Sequence, residues 1–272
     1  MSKVAFITGA SRGIGLCCAK RLAREGWSIV VAAKTVDAHP KLPGTIYTAA
    51  EEIREAGAPE VLAVQCNVRE IESVNAAAVA TLDKFGRIDA VINNAGALWW
   101  RNLDETPMNK FDLVIDVNAR AAYATTFAFI EAMKAQKSGH VINMSPPVDM
   151  TVVAGHIAYM IGKFGMTIVA QGLAEEFKDY NIYGSALWPK TVIESAATIN
   201  YGMGDPSIWR KADIIADATY EILAHPELSN GKALIDEDFL KEVGYTDFDQ
   251  YKCLPDSNPL ELNSDVMRMS RS

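Results

Sequence analysis

Tyr159 and Lys163 stand at i and i+4, and Ser145 precedes them at the end of an apolar run. On a helix that spacing puts the phenol and the ammonium on one face. A free phenol titrates near pH ~10, too high to exchange protons readily at neutrality. A nearby ammonium stabilises the phenolate and lowers that value. Such a pair donates a proton to a reduced carbonyl or withdraws one from an alcohol. The Ser145 hydroxyl would hold the substrate oxygen beside the phenol. Asn118 interrupts a long apolar helical stretch; its amide would satisfy backbone groups at a local distortion and hold a water for proton relay. Each also has a plain structural reading: a helix surface, a turn serine before Pro146-Pro147, a mid-helix amide.

The second chemical feature is Thr8-Gly9-Ala10-Ser11-Arg12-Gly13-Ile14-Gly15, which follows the first apolar strand directly. A helix starting here presents unpaired N–H groups and a partial positive charge, and glycines let the backbone approach a diphosphate. The G-x3-G-x-G spacing differs from the usual G-x-G-x-x-G dinucleotide pattern. The same residues contain G-x-S-x-G, the nucleophile elbow of serine hydrolases, with Ser11 at its centre. That reading places the elbow after the first strand, too early for a central position. None of His140, His156 and His225 carries a local triad signature.

After the second strand, an acidic residue would bind a ribose 2′-hydroxyl. The chain has Lys34-Thr35 there. Lys34 and Arg12 would neutralise a 2′-phosphate and Thr35 would add a hydroxyl, which favours NADP(H) over NAD(H). Lys41 falls in the loop beyond. Asn93-Asn94-Ala95-Gly96 after the fourth strand suits packing against adenosine and its ribose, or simply a turn.

These residues need a scaffold that brings strand ends together. Apolar runs at Val4–Thr8, Ser28–Ala33, Val61–Gln65, Ile88–Ile92, Val141–Met144, Tyr183–Leu187 and Ala233–Ile235 alternate with helix-length segments. Continuous apolar runs are the mark of strands covered on both faces. The alternation predicts an α/β, doubly wound parallel sheet with right-handed crossovers. Helices are predicted over 14–25, 47–56, 71–85, 108–136 with a break near Asn118, 158–177 and 211–224. One domain is expected over residues 1–236, with 237–272 an irregular extension.

The 26 Lys and Arg against 34 Asp and Glu give a formal net charge of −8. No basic excess is available to neutralise nucleic-acid phosphates. No apolar run reads as a membrane span, and the first strand starts too early to leave room for a signal peptide. Cys17, Cys18, Cys66 and Cys253 show no paired spacing and read as reduced thiols of a cytoplasmic protein. The histidines show no metal-ligand spacing, so no metal is expected.

In this order and combination the motifs resemble the short-chain dehydrogenase/reductase family, over about residues 3–236. The carrying residues are Thr8-Gly9-x3-Gly13-x-Gly15, Asn93-Asn94-Ala95-Gly96, Asn118, Ser145, Tyr159 and Lys163. The resemblance implies a single Rossmann-type domain with strand order 3-2-1-4-5-6-7 and hydride exchange at a nicotinamide. It makes Tyr159 the general acid/base, Lys163 its partner and a ribose ligand, Ser145 the substrate-orienting hydroxyl and Asn118 a relay support. Asn67 and Val68 after the third strand, and Pro189 and Thr191 after the sixth, fall at cofactor-binding positions.

Within the family the chain is similar to the hydroxysteroid-dehydrogenase-like 2 group, through residues 39–42 and 44–53, Ser145-Pro146-Pro147 and Leu187-Trp188-Pro189-Lys190-Thr191. Members of that group often carry a sterol-carrier-type domain, for which 272 residues leave no room. Two departures stand out: Asn67 replaces an aspartate, and Lys190 replaces a glycine, bringing a cation toward the nicotinamide. Ser195 and Thr191 are alternative counterparts of a threonine expected nearby.

Residues 192–210 read as a substrate lid with Gly202 and Gly204 as hinges. Ile193, Tyr201, Met203 and Trp209, with Trp99, Trp100 and Met150, would make an apolar mouth suited to a lipid-like or aromatic carbonyl, or else a subunit contact. The family pairs the helices near 108–136 and 158–177 in dimers or tetramers; Phe127, Met133, Phe164, Met166 and Ile168 would supply the apolar faces. The leading reading is an NADP(H)-dependent oxidoreductase acting on a carbonyl or secondary alcohol. A dinucleotide-bound scaffold or sensor of little activity is the alternative, and a serine hydrolase the third.

Overall fold

The computed structural model describes residues 2–38 and 43–262. The resemblance residues 39–42, Lys41 among them, lie outside this range. Strands are apolar along their length because both faces are covered. In β1 (Val4–Thr8), Ala5 and Ile7 enter one core and Val4 and Phe6 the other. β2 (Ser28–Ala33) divides the same way: Ile29 and Val31 on one side, Val30 and Ala32 on the other. The first core is closed by α1 (Gly13–Arg24), α2 (Ile46–Glu55) and a helix nearer the C-terminus, Asp213–Ala224. The second is closed by α3 (Ile71–Phe85) and by a helix over Ala121–Gln136.

The remaining strands are β3 (Val61–Gln65), β4 (Ala90–Asn93), β5 (Gly139–Met144), β6 (Ile182–Trp188) and β7 (Ala233–Ile235). All seven pair in parallel in the order β3-β2-β1-β4-β5-β6-β7, as the resemblance implied. The order reverses between β1 and β4, which opens a crevice beyond the carboxyl ends of the strands.

The long helix breaks where expected. α4 (Met108–Ile115) passes through a wide five-residue turn, Asp116–Arg120, into α5 (Ala121–Gln136). α6 (Ile157–Glu176) carries Tyr159 and Lys163 and crosses this turn closely. A Cβ on Gly162 would lie 3.1 Å from Asn118 Cβ, and one on Gly165 would lie 2.8 Å from Ala119 Cβ. The 108–136 and 157–176 helices are long and apolar enough to cross a bilayer by length and composition only, a test that core helices also pass; about half of each is buried in the fold. Met133 and Met166, expected on an apolar contact face, are fully buried core residues, whereas Phe127 and Ile168 are exposed.

Beyond β6 come α7 (Ala196–Asn200), α8 (Asp213–Ala224) and α9 (Pro226–Ser229). The chain after β7 is not wholly irregular. α10 (Asp236–Glu242) opens with Asp236, Glu237 and Asp238, acids that suit a helix N-terminus. It buries Phe239 and Leu240, and Tyr251 beyond it, in the first core. The short length of the helix hid its apolar face from periodicity.

Candidate active site

A cavity of about 680 Å³ lies along the crevice. One end is the β1–α1 turn. Gly9 and Gly13 are left-handed, with φ of +69° and +58°. α1 begins with no acidic residue in its first turn, and no side chain among the described residues caps it. Its free N–H groups and partial positive charge are therefore available to an anion. Gly9, Ser11, Arg12, Gly13 and Ile14 all line the cavity. Gly15 does not. A Cβ there would come within 2.5 Å of Asn94 Nδ2 and 2.9 Å of the Gly9 carbonyl, so it permits the close turn instead of facing the space.

That turn is held from β4. Thr8 Oγ1 accepts from the Asn94 and Ala95 N–H groups (3.0 Å each). Asn94 Nδ2 donates to the Thr8 and Gly9 carbonyls (2.9 and 3.3 Å). Asn94, Ala95 and Gly96 line the cavity, but the Asn94 amide is committed to the turn rather than to an adenosine. Thr8 belongs to the motif read in the sequence; its tie to the Asn94 and Ala95 backbone does not show there.

Lys34, Thr35, Asn67 and Val68 continue the wall from the strand ends, with Arg69 beside them. Arg12 donates to the Pro43 and Gly44 carbonyls (2.9 and 2.7 Å), fixing the loop that faces Lys34's strand end. Asn67 Nδ2 donates to Glu70 (2.6 Å) while its Oδ1 receives the Arg69 N–H (3.3 Å), so the side chain is occupied in its own turn.

At the other end Tyr159 and Lys163 line the same cavity. Their positions are set through polar residues between the strands. Asn93 Nδ2 donates to Asn143 Oδ1 (2.8 Å), and Asn143 Nδ2 donates to the Met166 carbonyl of α6 (2.7 Å). Lys163 Nζ donates to the Met144 carbonyl (2.6 Å) and lies 5.8 Å from the centre of the Tyr159 ring. Asn118 pairs its amide with the Ala97 N–H and carbonyl (2.9 and 3.0 Å). Gly96 fits between these groups: a Cβ on it would lie 3.4 Å from Asn118 Oδ1 and 3.6 Å from Lys163 Nζ.

The electrostatics differ from the sequence expectation. Burial pushes the Tyr159 phenol up, and Tyr201 adds to this. Burial also brings the Lys163 ammonium down to about 7. Desolvation is the leading cause in both groups.

The family sequence model described as short chain dehydrogenase matches residues 3–201. The chain belongs to the short-chain dehydrogenase family. It is 47% identical over 253 residues to hydroxysteroid dehydrogenase-like protein 2 of Bos taurus, covering 92% of this chain and 60% of the bovine protein. The chain thus spans well under two thirds of that relative's length. A crystal structure of a short chain dehydrogenase from Mycobacterium thermoresistibile is 40% identical, with a TM-score of 0.89 over 95% of this chain and 93% of that one. A metagenomic short-chain oxidoreductase crystallised in complex with NADP is 29% identical, with a TM-score of 0.71 over 86% of this chain and 95% of that one.

The remaining site residues stand differently toward this cavity. Ser145 does not line the cavity; it is fully buried, and Thr167 Oγ1 donates to its Oγ (2.9 Å). Asn118 and Thr191 are likewise buried and outside the cavity wall, while Pro189 is part of it. Lys190 does not turn toward the cavity. Its Nζ meets Asp238 (3.0 Å) and Glu237 (3.2 Å), because α10 brings acids to that side. Ser195 and Thr198 line the wall and cap α7 reciprocally.

Of the expected apolar mouth, Trp100, Ile193 and Met203 line the cavity. Trp99 bonds Thr106 (3.2 Å), and Met150 is 72% exposed. Trp209 is buried and donates to the Met203 carbonyl (2.7 Å), and Tyr201 donates to the Leu98 carbonyl. These two aromatics tie the 192–210 segment to its surroundings and are not part of the cavity wall. No histidine lines the cavity among the described residues.

Proposed function

We propose that this dehydrogenase transfers a hydride between NADP(H) and a carbonyl or secondary alcohol of apolar or lipid-like character, with Tyr159 as general acid/base. The observation that carries the reading is a single cavity with an uncapped helix N-terminus at one end and a buried phenol–ammonium pair at the other.

The residues fit a dinucleotide. The α1 N–H groups suit its diphosphate. Lys34 and Arg12 suit a 2′-phosphate, supported by the NADP held by the metagenomic relative. Lys163 is a buried cation beside a carbonyl, with donors to spare for ribose hydroxyls. A bound nicotinamide dinucleotide supplies or accepts the hydride. In the reducing direction Tyr159 gives its phenolic proton to the carbonyl oxygen, and the Lys163 ammonium steadies the phenolate left behind. Leu98, Trp100, Val192, Ile193 and Met203 offer the substrate an apolar, water-poor surround. Asn118 supports the site by holding the Ala97 backbone. Ser145 Oγ accepts from Thr167 while its own proton has only a long contact to the Asn143 carbonyl (3.5 Å), so reorienting that proton alone would offer it to a substrate oxygen.

That burial of Ser145 is the one feature favouring a second reading, a dinucleotide-bound scaffold or sensor with little turnover. The apolar faces of Phe127 and Ile168 support self-association, and four free thiols support a reducing compartment such as the cytoplasm. NADPH oxidation against a panel of carbonyls, beside Tyr159→Phe, separates the readings. Turnover lost in the variant with NADPH binding kept supports the enzyme. Equal turnover in both proteins removes Tyr159 as the acid, and NADPH binding with no turnover on any carbonyl supports the scaffold.

A further inference from the structure

The lid joins the domain by two stems, an outgoing one from Lys190 to Glu194 and a returning one that ends at Arg210. The stems pair with each other: Arg210 N–H donates to the Val192 carbonyl (2.9 Å) and Glu194 N–H to the Arg210 carbonyl (2.8 Å). Glu237, in the first turn of α10, receives a cation from each. Lys190 Nζ donates to its Oε1 (3.2 Å) and Arg210 Nη1 to its Oε2. Lys241, one turn along α10, also donates to Oε1. Burial pushes the Glu237 carboxyl up, but the bonds from Lys241, Arg210 and Lys190 outweigh it and hold it at about 2.

The neighbouring groups reinforce the arrangement. Asp236 Oδ1 accepts the Lys190 and Glu237 N–H groups (2.8 and 2.6 Å). Asp238 (3.0 Å) and Glu261 (4.0 Å) complete the surround of the Lys190 ammonium. The end of the described chain straps the stems from outside: Val192 N–H donates to Leu260 O, Leu260 N–H to Ile208 O, and Leu262 N–H to Lys190 O.

A largely buried ion cluster is weak evidence for stability, since neutral groups of similar shape often do as well. What it fixes here is geometry. Ile193 of the outgoing stem, with Ser195, Thr198 and Met203 between the stems, forms one wall of the cavity. We propose that Glu237 is the positioning residue of the lid: its carboxylate clamps both stems, through Lys190 and Arg210, and so sets how long a dinucleotide stays in the cavity. The proposal rests on the reading of the cavity given above.

Stopped-flow displacement of NADPH tests it on the full chain. Glu237→Gln is expected to raise the dissociation rate on the order of tenfold with little change in association, the usual signature of a lost positioning contact. Lys190→Gln, at a side chain 26% exposed, gives a smaller rise, and Lys190→Arg restores the wild-type rate. The double variant dissociates no faster than Glu237→Gln alone, because both substitutions break one contact. Wild-type rates in both folded single variants, or fully additive effects, overturn the proposal. If Glu237→Gln fails to fold, Lys190→Gln decides alone by the same measurement. A wild-type protein that binds neither NADPH nor NADH overturns the reading of the cavity instead. Limited proteolysis then decides the clamp: faster cutting within 192–210 in Lys190→Gln supports it, and an unchanged rate overturns it.

Discussion

The two ends of the cavity are built by different physics. The β1–α1 end is backbone: left-handed glycines, an uncapped helix start, and one amide and one hydroxyl that tie it to β4. The lid end is held by side chains from distant stretches, with Lys190 and Arg210 meeting Glu237 and Tyr201 reaching Leu98. A turn made of backbone tolerates few substitutions and changes little. A clamp made of ion pairs fixes its wall through a few side chains, so one substitution can release it.

Tyr159 lines the cavity at the end away from the glycine turn, so its loss tests chemistry apart from binding. Tyr159→Phe is expected to lower turnover by about 10²–10⁴-fold, the usual contribution of a positioned acid, while the NADPH dissociation constant stays near wild type. Fluorescence titration beside NADPH oxidation reads both; weakened binding equal to the lost turnover would place the phenol in binding instead. At the backbone end, Lys34→Glu should move preference from NADPH toward NADH by about tenfold or more, through repulsion of a 2′-phosphate. An unchanged ratio of the two dissociation constants refutes that assignment.

The glycines sharpen the contrast within one turn. Gly15→Ala forces a Cβ into Asn94 and the Gly9 carbonyl and is expected to destabilise by about 3 kcal/mol, a large overpacking penalty. Gly13→Ala meets nothing within 4 Å, so only its left-handed backbone is strained, by about 1 kcal/mol. Thermal melts showing the opposite order would break this account.

The remaining test is a pH slope. Lys163 titrates at about 7 in the folded protein and at ~10.4 unfolded. Between those values the unfolded chain binds the extra proton, so this group makes stability rise with pH. Below the folded value its full penalty stands. Lys163→Met removes that penalty, so its advantage over wild type should be greatest near pH ~6 and shrink toward pH ~10. Urea melts across that range check it, and a pH-independent difference would mean the ammonium is not desolvated.

The sequence was readable where structure is local. Five buried residues followed by Gly9, Gly13 and Gly15 fix a strand, a turn and a helix start with no help from elsewhere, and the i, i+4 rule puts Tyr159 and Lys163 on one face. It was opaque where partners are distant. Nothing near Ser145 shows that Thr167 takes its hydroxyl. Lys190 looks like a cation at the nicotinamide until α10 supplies its acids. Trp99 and Trp100 are adjacent, yet only the second faces the cavity, a choice made by loop geometry that no periodicity encodes. The weaker acidity expected for the buried phenol also escaped, because charge proximity is visible in spacing and desolvation is not.

The tie between Thr8 and Asn94 has a kinetic corollary. Because the glycine loop is already shaped by its own protein partners, a dinucleotide docks on a finished seat and need not organise it. Collision, rather than loop ordering, then governs how fast that end of the molecule captures its ligand, and any slow step belongs to the opposite rim.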